Sequence, residues 1–77
     1  MLNFKIGKIF SEMAQYYVMK GDQFRPRAYE RASHLIESMD EDLEDIYKKS
    51  GVKGLMKIQG IGKWMAEHIE EYIKTGK

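Results

Sequence analysis

Leu55-Met56-Lys57-Ile58-Gln59-Gly60-Ile61-Gly62-Lys63-Trp64-Met65-Ala66 is the stretch whose reading decides the fold. An apolar residue, a spacer and a Gly-apolar-Gly step lead into an amphipathic helix with a small residue at Ala66. Two glycines let the backbone turn sharply and approach an anion without a Cβ in the way. The first turn of the next helix carries N–H groups with no partner inside the helix, and these favour an anion. Ile58 and Ile61 are suited to anchoring the turn in the core, and Lys63 puts a cation where a phosphate would sit. A bare Gly-x-Gly would serve equally as a plain corner between packed helices. The Ile-x-Gly-Ile-Gly-Lys context, the short preceding helix and Ala66 favour the phosphate-holding reading.

Outward from this stretch the chain reads as helix after helix. Residues 63–74 predict a helix with Met65, Ala66, Ile69, Tyr72 and Ile73 on one face, closed by Gly76. A short helix over 53–57 precedes the turn, contributing Leu55 and Met56. Before it, Gly51 stops a helix over 41–49 that Asp40 is placed to cap, with Leu43, Ile46 and Tyr47 inward. Asp42, Glu44 and Asp45 suit that helix's positive end, and Lys48 and Lys49 its negative end. Residues 26–39 predict a helix with Pro26 in its first turn and Ala28, Tyr29, Ala32, Leu35, Ile36 and Met39 as its stripe. Residues 3–20 predict the first helix, with Asn3 as N-cap and Ile6, Ile9, Phe10, Met13, Tyr16 and Tyr17 at helical spacing. Gly21 follows it as the C′ residue. No stretch alternates with period two. The expected fold is all-α, four to five short helices in one domain over residues 1–77, containing one helix-hairpin-helix motif.

Composition bounds what such a chain can do. Its 77 residues bury only about 60% of the surface the unfolded chain exposes. There is no cysteine, and the histidines are His34 and His68, so a thiolate or structural zinc site is not expected. An apolar share of 43% and a charged share of 32% suit a globular domain. No apolar run approaches the roughly 20 residues that span a bilayer, and the N-terminus lacks the apolar stretch of a signal peptide. A cytoplasmic monomer without membrane contact is therefore the expectation. Net charge is only +1, but its distribution is uneven. Glu37, Asp40, Glu41, Asp42, Glu44 and Asp45 crowd one segment. Arg25, Arg27 and Arg31 lie before it, and Lys48, Lys49, Lys53, Lys57 and Lys63 after it. An anionic partner should meet the flanks and avoid the acidic segment, which otherwise reads as a solvated, capped turn.

Four blocks in order give the chain a family likeness: Asn3-x-x-Ile6-x-x-Ile9-Phe10-x-x-Met13-Ala14, Phe24-Arg25-x-Arg27-Ala28-Tyr29-x-Arg31-Ala32, Ile58-x-Gly60-Ile61-Gly62, and Ala66-Glu67-x-Ile69-x-Glu71-Tyr72-x-x-Thr75-Gly76-Lys77. Over nearly its whole length the chain resembles the N-terminal helix-hairpin-helix domain of the family X DNA polymerases, the group that includes DNA polymerase beta. That resemblance implies binding to the 5′-phosphate side of gapped DNA. In some members it also implies excision of a 5′-deoxyribose phosphate through a lysine imine. Carried over by position, Arg25 stands at a phosphate-binding lysine and Tyr29 at a pocket tyrosine. The carbonyls of Met56, Ile58 and Ile61 stand where a monovalent cation, Na+ or K+, bridges protein and DNA phosphate. No other cofactor is implied.

Departures from the family pattern matter as much. The imine-forming lysine falls at His68, and a second phosphate-binding lysine falls at Trp64. Histidine cannot form that imine, and Lys63, one residue off register, points about 100° away on a helix. No catalytic residue is therefore assigned. Gln59 replaces a common proline. The expected phosphate-binding set is Gly60, Ile61, Gly62, Lys63, Trp64, Arg25, Tyr29 and His68. Trp64 suits stacking on an unpaired base as well as covering the bundle's edge, and the others have plainer readings: His68 as an exposed helix histidine, Tyr29 as core, the arginines as a solvated face. Two rival functions stay open from sequence, a deoxyribose-phosphate lyase using another lysine and a protein-interaction domain. A parent DNA repair polymerase is implied if the chain is a piece of one.

Overall fold

A computed structural model describes residues 2–76. Met1 and Lys77, the outer residues of the expected domain and of its exit motif, lie outside the described residues. Those described hold four helices and no strand: α1 (Leu2–Met19), α2 (Arg25–Ser38), α3 (Leu43–Met56) and α4 (Lys63–Thr75). Contacts divide them into two units, Asn3–Met39 and the segment from Asp40 onward.

In the first unit α1 buries Ile6, Phe10 and Ala14, one per turn, and α2 buries Tyr29, Ala32, Ser33 and Ile36. The Phe10 and Tyr29 rings meet edge to face with centroids 5.1 Å apart, a geometry that adds to the area they bury. Ser33 Oγ donates to the Gly7 carbonyl at 2.7 Å inside this core. Gly7 marks the close approach of α1 and α2, because a Cβ there would meet the Glu37 side chain at 2.6 Å. Ala28, placed on the stripe by spacing, is exposed. Tyr16 also stays 53% exposed. Asn3 is no N-cap: α1 begins at Leu2 and the Asn3 side chain is buried within its first turn.

Both ends of the α1–α2 connection are closed by the chain itself. The Gly21 N–H donates to the Val18 carbonyl and the Asp22 N–H to the Tyr17 carbonyl, with Gly21 at φ +80°. This is the Schellman pattern expected of a glycine at C′. Asp22 Oδ1 then accepts from the N–H groups of Phe24 and Arg25 at 2.8 and 2.9 Å, and Pro26 lies in the first turn of α2.

In the second unit the cap is Asp42 rather than Asp40. Its carboxylate accepts from the Glu44 N–H at 2.9 Å, and its carbonyl receives the first bonds of α3. The helices expected over 41–49 and 53–57 are both present within α3, as two helical segments meeting at a kink where Gly51 takes the non-helical φ 65°, ψ −157°. Leu43 and Leu55 of α3 and Ala66 and Ile69 of α4 are fully buried, with Met65 nearly so. Each large apolar side chain of this set stabilises the unit by about 1.5–3 kcal/mol. The Tyr47 hydroxyl donates to Glu70 Oε2 at 2.7 Å, tying α3 to α4. That bond is the main reason the Tyr47 hydroxyl titrates above its ordinary value of 10.0. Gly76 ends α4 in the left-handed conformation, its N–H on the Tyr72 carbonyl.

Candidate functional site

Between α3 and α4 the chain reverses in six residues. The N–H groups of Lys57 and Ile58 close the end of α3 on the Gly54 and Leu55 carbonyls. The Ile61 N–H then donates to the Ile58 carbonyl at 3.0 Å, with Gly60 third in that turn at φ +94°. A bonded turn with positive φ at its third residue is the type II arrangement, which calls for glycine there. Ile61, 3% exposed, pins the turn to the core, while Ile58 is half-buried.

The start of α4 is left open. Its first backbone bond runs from the Ala66 N–H to the Gly62 carbonyl at 2.9 Å, so the N–H groups of Lys63, Trp64 and Met65 precede any intrahelical acceptor. Gly62 is the N-cap, offers no side-chain cap, and sits at φ −86° with nothing within 4 Å of where a Cβ would be. Gly60, Gly62, Lys63 and Trp64 are exposed, and Met65 is buried. Of the expected set, Ile61 has its amide engaged within the turn, on the Ile58 carbonyl. Among the carbonyls, that of Ile58 takes the Ile61 N–H, whereas no backbone bond of the turn ends on Met56 or Ile61.

The outward face of α4 carries Trp64, Glu67, His68 and Glu71, all exposed. Trp64 and His68 are four residues apart and share a face. Trp64 is 76% exposed, so most of its surface faces water rather than the bundle's edge.

Arg25 and Tyr29 belong to the first unit, and their surroundings differ in kind. The Arg25 Nε lies 3.7 Å from Asp22 Oδ2, and its guanidinium stands 5.1 Å over the Tyr17 ring. Tyr17 in turn stacks on Tyr29, centroids 5.6 Å apart. Tyr29 is core, as its stripe position implied. Burial first and the neighbouring Tyr17 second raise its hydroxyl above the ordinary 10.0, against a smaller opposite effect of Arg25. Asp22 is held below its ordinary 3.8, chiefly by the Arg25 and Phe24 backbone N–H groups. Arg27 and Arg31 are exposed along α2.

With this geometry in view, the relatives are informative. A family model described as a helix-hairpin-helix domain matches residues 1–77. The chain belongs to this helix-hairpin-helix family. Over 76 residues it is 33% identical to DNA polymerase lambda of Arabidopsis thaliana, a family X polymerase. The match takes in 99% of this chain and 13% of that polymerase. No solved structure matches. The resemblance read from the four blocks therefore holds.

For this helix-hairpin-helix domain, sequence reasoning missed the partners of Arg25. Asp22 carried a signal, being an Asx residue just before a proline-led helix. Tyr17 carried none, since only the Schellman turn brings it under a residue eight positions later. Among the described residues no helix is long and apolar enough to cross a membrane.

Proposed function

We propose that this helix-hairpin-helix chain acts as one non-catalytic DNA-binding module that holds backbone phosphates of gapped, nicked or 5′-phosphorylated DNA without reading sequence. The observation that supports it most is the exposed, uncapped start of α4, where the Lys63 and Trp64 N–H groups precede any intrahelical acceptor. The helix dipole and the Lys63 ammonium add positive potential at the same end. Gly62 keeps side-chain atoms away from the approach, and Gly60 makes the turn that presents it. Contacts of this kind position a protein on DNA and carry no base information.

Arg25 is a second anchor in this reading, with Tyr29 supporting it through Tyr17 rather than touching phosphate. His68 is a further donor when protonated. A sodium or potassium ion would be held by the carbonyls of Met56, Ile58 and Ile61. A carbonyl has two lone pairs, so the Ile58 oxygen keeps one after serving Ile61. Such an ion would supply positive charge between hairpin and phosphate.

Fluorescence anisotropy with a labelled, 5′-phosphorylated gapped duplex tests the proposal. The expected result is binding that is unchanged when the sequence is scrambled and weakens shallowly with salt. A footprint of about two to four phosphates corresponds to a log–log slope near −0.9 for each. No binding at low salt, or a tenfold preference for one sequence, would overturn it.

A further inference from the structure

Trp64 is out of place by the ordinary rules of a folded surface. It is the chain's one tryptophan and is 76% exposed. It sits in the first turn of α4, beside the backbone N–H groups that precede any intrahelical acceptor. Large aromatic side chains are usually buried or half-buried, and one left in water at the mouth of a cationic, amide-rich turn has a flat π surface to offer.

The charges around it restrict what can lie there. Lys63 precedes it, and Lys53 and Lys57 stand exposed toward the end of α3 in the same unit. Further along the outward face of α4 come Glu67 and Glu71, both exposed. A polyanion at the first turn is therefore attracted on the hairpin side and repelled farther down α4. An apolar protein partner would gain nothing from the three lysines. An unpaired nucleobase attached to a phosphate satisfies both features, its face on the indole and its phosphate by the amides. Stacking of this kind tolerates any base, because every base has a π face.

We infer that Trp64 is a stacking platform for one unpaired nucleobase. This rests on the hairpin reading above and adds to it, since phosphate contacts alone do not distinguish paired from unpaired DNA.

With a single tryptophan, indole emission reports on this residue alone. The 77-residue chain is titrated with a 5′-phosphorylated oligothymidylate, a gapped duplex and a blunt duplex of equal length, with anisotropy followed in parallel. Quenching by the single strand and the gapped duplex but not by the blunt duplex is expected. Trp64→Ala should weaken single-strand binding roughly 5- to 150-fold, the range for losing one base–aromatic stack. The loss should be larger for the single strand than for the blunt duplex, and Trp64→Tyr should keep most of the single-strand affinity. Circular dichroism confirms that the variants fold. DNA binding with unchanged indole emission would overturn the inference and leave the hairpin reading standing. No binding of any DNA would overturn both. A concentration-dependent emission shift without DNA would assign the indole to a second copy of the chain and overturn the stacking role.

Discussion

The hairpin before α4 and the turn before α2 both place positive charge at a helix start, yet they differ in what that charge is already doing. At the hairpin, backbone geometry leaves the Lys63 and Trp64 amides unclaimed and Gly62 offers no cap. At the α2 start, Asp22 claims the N–H groups of Phe24 and Arg25 and also lies against the Arg25 side chain, while Tyr17 lies under the guanidinium. An incoming phosphate finds open donors in the first place and an internal carboxylate competing for them in the second. The two helix N-termini thus differ in what lies before them: Asp22, two residues ahead of the Phe24 N-cap of α2, takes two N–H groups, whereas the Gly62 N-cap of α4 has no side chain to offer.

The largest effect should come from the hairpin's anchor. Ile61→Ala is expected to cost about 2–5 kcal/mol in urea unfolding, because the side chain is buried and its removal leaves a cavity. A loss below about 1 kcal/mol would mean the turn is not held rigidly, and the contrast with the α2 start would lose its basis. Gly60→Ala should cost about 1–3 kcal/mol through strain at φ +94°. Gly62→Ala should cost less by the same measurement, since its φ is negative and its Cβ position is open.

Binding sharpens the contrast further. Lys63→Gln should weaken gapped-DNA binding about tenfold at low salt, as expected for one charge-assisted contact. Arg25→Gln should cost clearly less while Asp22 competes. In an Asp22→Asn background, where the cap survives without the charge, the Arg25 loss should grow toward that of Lys63. Equal losses in the unmodified background would show that Asp22 does not shield Arg25.

Acid titration examines the same carboxylate. Its folded value lies below the ordinary 3.8, so the unfolded chain binds its proton first. The stabilisation it gives is present above about pH 4 and lost as pH falls through the depressed value. Thermal melts followed by circular dichroism should show the unmodified chain losing stability below about pH 4, with Asp22→Asn lacking that part of the fall. The smallest effect concerns the exposed Lys48–Glu44 pair, 3.8 Å apart. Lys48→Gln should change stability by no more than about 0.5 kcal/mol.

Periodicity and glycine punctuation made the helices and the hairpin legible, because apolar spacing and chain breaks are local properties. Gly21, Gly51, Gly60 and Gly76 all take positive φ, at the positions where the sequence breaks its helical pattern. Which Asx residue caps was not legible. Asn3 lies inside a helix and Asp42 displaces Asp40, since acids crowd that start and only the closing backbone bonds choose among them. The Ser33–Gly7 bond spans 26 positions and had no local signal. The motif marked where the chain turns between α3 and α4, but it could not show that Ile61 spends its amide on the turn.

An NMR titration of the isotope-labelled chain with 5′-phosphorylated gapped DNA at low ionic strength tests the central claim most directly. The Gly62, Lys63 and Trp64 amides should move first and farthest, with the Ile61 amide trailing. Shifts centred on Asp22–Arg25 while Gly62–Trp64 stay still would contradict it.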